Sequence, residues 1–359
     1  MRIALVSDCY LPRLGGIELQ VHDLAGQLIR AGHPVTVFTS TDGPSAAGDV
    51  PVVRLPALGG VPLPAATDRL RRALDHFDVV HAHTSLLSPL AWRAARLAPA
   101  AVITLHSLPS PMMPWPLARL DRYVDPARWT AVSEVVAAVL RRSLPNRPVD
   151  VLHNGVDPTH WRFPRHGGHP LTIVSTMRLT RRKRPLALLR TLERIRIDLP
   201  TDVDVRAVIV GSGPQAASVA AEVRRRGLTG WVELPGRLTR FEIQQLYAAA
   251  DVYLAPAGLE SFGVAALEAR CAGLPVVAMA SGGVGEFIRH GVEGYLVDSD
   301  TQMAETTAAL LSDPALRTRI QRHNHDTDPA MTWDHVIPQH LTTYQTQVSL
   351  SALTLTSAS

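Results

Sequence analysis

"VRAVIVGSGPQA", Val205–Ala216, is the stretch that decides the fold. A short apolar run, Val205–Val210, meets a Gly-Ser-Gly turn, and Pro214 stands where a helix is about to open. Strand, glycine turn and helix in that order form the repeating unit of a parallel sheet covered on both faces. Reading outward, the alternation continues. Downstream, "WVELPG", "DVYLAPA", "PVVAM" and "GYLV" are strands with helical stretches between them. Upstream, "LTIVSTMRL" is a strand and Pro185 opens a helix. Earlier still, "NGVDPTHWRFPRHGGHP" has no period and reads as a linker.

A first series of the same kind precedes that linker. "IALVS" (Ile3–Ser7) leads to a helix marked by Ile17, Val21, Leu24 and Leu28, with Gly32 as its stop. "VTVFT", "DVVHAH", "AVITLH" and "WTAVS" are further strands, Ser133 is positioned as an N-cap, and "VDVLHN" closes the series. The expectation is an α/β protein of two doubly wound, Rossmann-like domains, residues 1–160 and 161–332, with an inter-domain cleft. A helix over 333–346 is expected to pack back toward the N-terminal domain, and 347–359 reads as a disordered tail.

The chain has 359 residues, a formal charge of +4 and 46% hydrophobic residues. Two domain cores are affordable at that size. The basic excess suits anionic partners such as phosphates or acidic headgroups; no nucleic acid is expected. Cys9 and Cys271 are the only cysteines, which excludes a disulfide framework. The opening "MRIALVSDCY" lacks signal-peptide form, and each apolar run is too short for a membrane span. A cytoplasmic protein is expected, with room for peripheral contact at the inner face of the membrane.

Open parallel sheets bind ligands outside the carboxyl ends of their strands. Four constellations fall there. In "PRLGGIE" (Pro12–Glu18), Gly15 and Gly16 open a helix whose free amides favour an anion. In "MRLTRRKR" (Met177–Arg184), Arg178 and Lys183 are placed to neutralise a diphosphate. "VGSGPQA" matches the dinucleotide pattern G-x-G-x-x-A, with Glu233 about twenty residues on. Lastly, in "ESFGVAALE" (Glu260–Glu268), the amides of Phe262, Gly263 and Val264 would face a phosphate at a helix start. Glu260 and Glu268 lie about 12 Å apart along such a helix and could take hydroxyls on either side of it.

"ESFGVAALE" fits the E-x7-E motif of retaining glycosyltransferases of the GT-B fold, and the chain resembles glycosyltransferase family four through most of its length. "GGIELQVHDLAGQLIRAGHPVTVFT", "TAVSE", "LHNGVD", "GSGP", "LPGRLTR" and "LPVVAMASGGVGE" carry the likeness in the family's order. The resemblance implies that Glu260 binds donor-sugar hydroxyls and Glu268 the nucleotide ribose. It implies that Arg178 and Lys183 hold the diphosphate with the amides of Phe262, Gly263 and the Gly15–Gly16 turn. The base would lie near Leu234 and Gly236, and His106 beside the sugar's reactive centre. Three departures are visible: Met177 and Arg184 stand where Gly is usual, and Gly285 where Pro is usual.

The implied reaction moves a hexose from a nucleoside diphosphate to an acceptor hydroxyl, keeping the α configuration. GDP-mannose is the expected donor, with UDP-glucose or UDP-N-acetylglucosamine as alternatives. The acceptor is a sugar, polyol or lipid-linked hydroxyl. Cations and amides would stabilise the leaving diphosphate, and neither a metal nor another cofactor is expected. An NAD-dependent oxidoreductase, resting on "GSGPQA", and a non-catalytic sugar-nucleotide-binding protein are the competing readings. Apolar residues beside Arg69, Arg71, Arg72, Arg119 and Arg122 raise the prospect of contact with an anionic membrane.

Overall fold

The computed structural model describes the chain apart from residues 59, 60, 86, 109–113, 167, 358 and 359. It divides into two units, Met1–Gly155 with Trp333–Ser359, and Val156–Thr332. The boundary lies at Gly155/Val156 rather than at the 160/161 position read from the linker.

The first unit contains strands β1 (Ile3–Ser7), β2 (Val35–Thr39), β3 (Ala46–Ala47), β4 (Val50–Arg54), β5 (Ala57–Leu58), β6 (Val61–Pro62), β7 (Val79–Thr84), β8 (Ala101–Leu105), β9 (Arg128–Ala131) and β10 (Val149–Val151). Its helices are α1 (Gly16–Arg30), α2 (Pro64–Leu74), α3 (Pro89–Leu97), α4 (Pro114–Val124) and α5 (Glu134–Ser143). The main sheet runs β10-β9-β8-β7-β1-β2-β4-β3, and β5 and β6 form a separate hairpin. All main-sheet pairs are parallel except β3 with β4. β1, β7 and β8 are buried along their whole length, although β7 carries His81 and His83 among its apolar residues. The order reverses at β1/β7, where the Asp8 carboxylate accepts from the amides of Leu90 (2.9 Å) and Ala91 (3.1 Å) and so caps α3. Ser133 caps α5 by accepting from the Val136 amide.

The second unit contains β11 (Leu171–Thr176), β12 (Val205–Val210), β13 (Val232–Gly236), β14 (Val252–Ala255), β15 (Val276–Met279) and β16 (Gly294–Val297). Its helices are α6 (Pro185–Asp198), α7 (Ala216–Arg225), α8 (Arg240–Ala249), α9 (Val264–Cys271), α10 (Asp300–Ser312) and α11 (Pro314–Asp326). The sheet is all parallel in the order β13-β12-β11-β14-β15-β16. A core of aliphatic side chains, including Ile173, Leu188, Leu192, Ile209, Val252 and Met303, fills the space under its helices.

The last helix, α12 (Trp333–Ser357), belongs to the first unit. Trp333, Val336, Ile337 and Tyr344 join the core formed by Ile3, Leu5 and Val21. This corrects the expectation of a helix ending at 346 and a disordered tail beyond it: the helix continues through Ser357. Tyr344, Gln347 and Ser351 form a buried stripe at helical spacing. Gln347 Nε2 donates to the Pro126 carbonyl at 3.1 Å, and Ser351 Oγ to the Gln347 carbonyl at 2.9 Å. A stripe of polar side chains that find partners is invisible to a search for apolar periodicity.

Candidate active site

In the second unit the strand order reverses between β11 and β14, and an open sheet binds its ligand at that point. The loop after β11 carries Arg178 and Lys183, and the loop after β14 carries Glu260, Phe262 and Gly263. Topology thus brings together residues about eighty positions apart. Lys183 Nζ donates to Glu260 Oε2 in an ion pair. Arg182 Nε donates to the Leu259 carbonyl at 3.0 Å, and its Nη2 to Ser261 Oγ at 3.3 Å. Arg178 is exposed and has no ion pair among the described residues.

Arg184 shows how the loop after β11 is fixed. Its φ of 56° lies in the left-handed region, where a side chain is strained and glycine is not. Its guanidinium donates to the Pro256 carbonyl at 2.9 Å and to Asp300 Oδ2 at 2.7 Å. The departure from glycine noted in the sequence is therefore an anchor between the two loops and α10. Asp298–Asp300 has a structural use here. Ser299 caps α10, and the Asp298 amide donates to Gln302 Oε1 at 2.8 Å. Among the described residues no group of three or more His, Cys, Asp or Glu side chains could hold a metal ion.

Helix α9 starts at Val264, with Gly263 as its N-cap at φ 98°. A Cβ on Gly263 would stand 2.7 Å from Val284 Cγ2, so only glycine fits. The amides of Gly263 and Val264 have no acceptor among the described residues, and Glu268 is half-buried on α9. Gly282 and Gly283 press against this turn: a Cβ on Gly282 would stand 2.9 Å from Glu260 Cβ, and one on Gly283 would run into the Ser261 carbonyl oxygen. The Gly283 amide donates to the Glu260 carbonyl at 2.9 Å. Their part in shaping the site was missed in the sequence, where the signal was a Gly-Gly pair just past a strand.

The glycines of "GSGPQA" serve the same loop. A Cβ on Gly211 would collide with the Met177 carbonyl oxygen, and one on Gly213 would stand 2.5 Å from the Leu179 carbonyl oxygen. The Leu179 amide donates to the Ser212 carbonyl (2.9 Å), and the Gln215 amide to the Leu179 carbonyl (3.0 Å). The close approach that a dinucleotide pyrophosphate would need is taken by the chain itself, and exposed Glu233 pairs with Arg206 at 3.4 Å. Leu234 packs partly against the core, and the Gly236 carbonyl accepts from the Gly211 amide at 2.7 Å. Both lie on β13, two strands or about 10 Å from β11.

In the first unit the Gly15–Gly16 turn opens α1, as expected. Gly15 is the N-cap of α1, and a Cβ there would collide with the Glu18 carboxylate. Glu18 is buried and meets Arg13 Nε at 3.2 Å. A carboxylate of the chain itself thus lies close to this helix start. His106 follows β8 and holds His83 through a ring-nitrogen contact, His83 Nδ1 to His106 Nε2, at 3.0 Å. Burial, and after it the nearby His340, pushes His106 down to about 3, so the ring is neutral near pH 7.

His81 is structural, and its protons can be followed. Thr130 Oγ1 donates to the Ile103 carbonyl (3.0 Å), so it must accept from Thr104 Oγ1 (2.5 Å). Thr104 in turn accepts from His81 Nε2 (2.6 Å), which leaves His81 Nδ1 to accept from the Tyr344 hydroxyl (2.7 Å). Burial keeps this ring neutral.

Two Rossmann-like units, one with cations and a bare helix start at its switch point, define the GT-B class of glycosyltransferases. The family model for glycosyl transferases group 1 matches residues 160–326, and that for Glycosyltransferase Family 4 matches residues 14–160. The chain is 30% identical over 352 residues to a GDP-mannose-dependent alpha-(1-6)-phosphatidylinositol monomannoside mannosyltransferase of Mycobacterium tuberculosis, covering 87% of this chain and 89% of the relative. It is 27% identical to the alpha-maltose-1-phosphate synthase of the same organism, covering 90% and 93%. A solved structure of Anabaena HepE with UDP and glucose superposes with a TM-score of 0.76 at 19% identity, covering 95% and 99% of the two chains. The chain belongs to glycosyltransferase family four, and it is a glycosyltransferase.

Proposed function

We propose that the protein transfers mannose from GDP-mannose to an acceptor hydroxyl with retention of the α configuration. The observation that carries this reading is the pairing of Lys183 with Glu260 at the switch point, beside Arg178 and the start of α9. The 30% identical relative whose name specifies GDP-mannose supports the donor. The Anabaena structure, whose name specifies UDP and glucose, favours a UDP-sugar as the second reading.

In this reading a diphosphate draws Lys183 away from Glu260. Lys183, Arg178 and the amides of Gly263 and Val264 meet the growing charge of the leaving group. Released from Lys183, Glu260 accepts from donor-sugar hydroxyls, and Glu268 from the ribose. The base lies over Leu234 and Gly236 on β13. Because side-chain cations and amides supply the countercharge, the reading calls for no metal and no cofactor. His106 keeps the role at the sugar's reactive centre that the family resemblance implies, and the acceptor's proton passes to the departing phosphate oxygen on the same face of the ring. A lipid-linked acceptor would suit the first unit, where Leu58 and Val61 are exposed on the β5–β6 hairpin just before Arg69, Arg71 and Arg72 of α2. Among the described residues no helix is long and apolar enough to cross a membrane.

Nucleotide release from GDP-mannose, UDP-glucose and UDP-N-acetylglucosamine, with and without candidate acceptors, tests the reading. Turnover of GDP-mannose alone is expected; turnover of a UDP-sugar alone would overturn the donor assignment.

A further inference from the structure

Glu260 lies in the loop that joins β14 to α9, and the two sides of Glu260 are held differently. Toward α9, Phe262 is buried and its ring lies 5.4 Å from that of Phe287, so packing fixes this side. Toward β14, Leu259 is 62% exposed, and burial holds nothing there. Hydrogen bonds take over. Arg182 Nε donates to the Leu259 carbonyl at 3.0 Å, and Arg182 Nη2 to Ser261 Oγ at 3.3 Å. One guanidinium thus grips the residue before Glu260 and the residue after it. The Gly283 amide holds the Glu260 carbonyl between them at 2.9 Å.

The neighbours of Arg182 in the cation run do other things. Lys183 pairs with the Glu260 carboxylate, and Arg184 reaches the Pro256 carbonyl and Asp300. Arg182 has no carboxylate partner among the described residues; its donors go to a neutral carbonyl and a neutral hydroxyl. A planar guanidinium can bridge two such acceptors, whereas an ammonium has no fixed fork. The grip is also independent of the ion pair beside it. When a diphosphate draws Lys183 away, the Glu260 side chain loses its partner, but the backbone that carries it stays pinned.

We propose that Arg182 is a positioning residue: it fixes the backbone on both sides of Glu260, so that the carboxylate stays aimed at the donor sugar after Lys183 turns to the diphosphate. This rests on the sugar-binding role of Glu260 under the proposed function. Arg182 acts through Glu260 and leaves the diphosphate to Arg178 and Lys183.

The test uses the full chain, whichever of GDP-mannose, UDP-glucose and UDP-N-acetylglucosamine it turns over, and the matching GDP or UDP in calorimetry. Arg182 is half-buried and outside the aliphatic core, so its variants are expected to keep the wild-type fold and Tm. Arg182→Met keeps the apolar stem and loses the donors. It is expected to lower kcat about tenfold or more while nucleotide affinity stays within about threefold of wild type. Arg182→Lys, which keeps the charge without the fork, is expected to match it in kcat. Added to Glu260→Ala, Arg182→Met is expected to lower kcat less than about twofold further, because the group it aims is gone. Nucleotide affinity lowered about tenfold in Arg182→Met would make Arg182 a phosphate ligand and overturn the proposal. Wild-type kcat in Arg182→Met or Arg182→Lys would overturn it too, as would the full tenfold loss in the Glu260→Ala background. Wild-type turnover in Glu260→Ala alone would overturn the role of Glu260 and this proposal with it.

Discussion

Glu260 sits where a lone buried carboxylate would be costly, and Lys183 removes that cost from across the switch point. Both side chains keep some exposure, so the pair itself adds little stability, about 1 kcal/mol at most. Under the proposed function its value is in offering two opposite charges to the hydroxyls and phosphates of a sugar diphosphate. Glu260→Ala should therefore separate binding from turnover. GDP affinity by calorimetry should stay within a few-fold of wild type, because Lys183 is left free for phosphate. Turnover should drop about 100-fold or more. Lost GDP binding in this variant would contradict the division of labour. Arg184 makes a second case. Its left-handed backbone costs about 1–2 kcal/mol, which its two anchoring bonds offset. Urea unfolding should rank wild type above Arg184→Gly, and Arg184→Gly above Arg184→Ala by about 1 kcal/mol, since alanine keeps the strain and loses the anchors. Alanine above glycine would contradict this. The sequence showed Arg184 only as a departure from glycine; the backbone angle that glycine serves there is not written in any neighbouring residue.

At the scale of elements, what was legible followed apolar burial. β1 and β8 are largely apolar and β7 and β11 mix apolar with His, Ser or Thr residues, and all four are nearly fully buried in the structure. The short edge strands β3, β5 and β6 have two residues each and leave no periodic trace. The far half of α12 was misread because Ser, Thr and Gln carry its buried face. Thr342, Thr343, Thr346 and Ser351 each donate to the carbonyl four residues back, satisfying hydroxyls that would otherwise compete with the helix. Truncation after Thr346 should then lower the stability of the first unit by about 1–3 kcal/mol, a few degrees in Tm. A melting curve identical to that of the full chain would show the segment to be a passive tail. At the candidate site, Arg178, Lys183, Glu260 and Gly263 could be placed from strand ends alone. Gly282, Gly283 and the refolded use of Gly211 and Gly213 could not, because a close approach between loops depends on tertiary packing.

For the whole molecule, the strand orders of both sheets explain why one site could be predicted at all: each sheet reverses direction once, and open sheets of this kind bind ligands at such a point. Four histidines of the first unit, His81, His83, His106 and His340, are held neutral chiefly by burial. In the unfolded chain each takes a proton near pH 6.5, while in the fold His340 resists until about 4 and His106 until about 3. Stability is thus complete above pH 6.5 and falls as the pH drops, by about 1.4 kcal/mol per histidine per pH unit. Between pH 7.5 and 5.5 the four together should cost about 5 kcal/mol, a fall in Tm on the order of 10 °C. A Tm flat across that range by near-UV circular dichroism would contradict the neutral cluster. The central claim is that the reversal point of the second sheet seats a nucleoside diphosphate on two cations and a helix start. Calorimetric titration of GDP into the wild type and into Arg178→Ala/Lys183→Ala tests it most directly: affinity should fall at least about 100-fold in the double variant, and affinity equal to that of the wild type would contradict it.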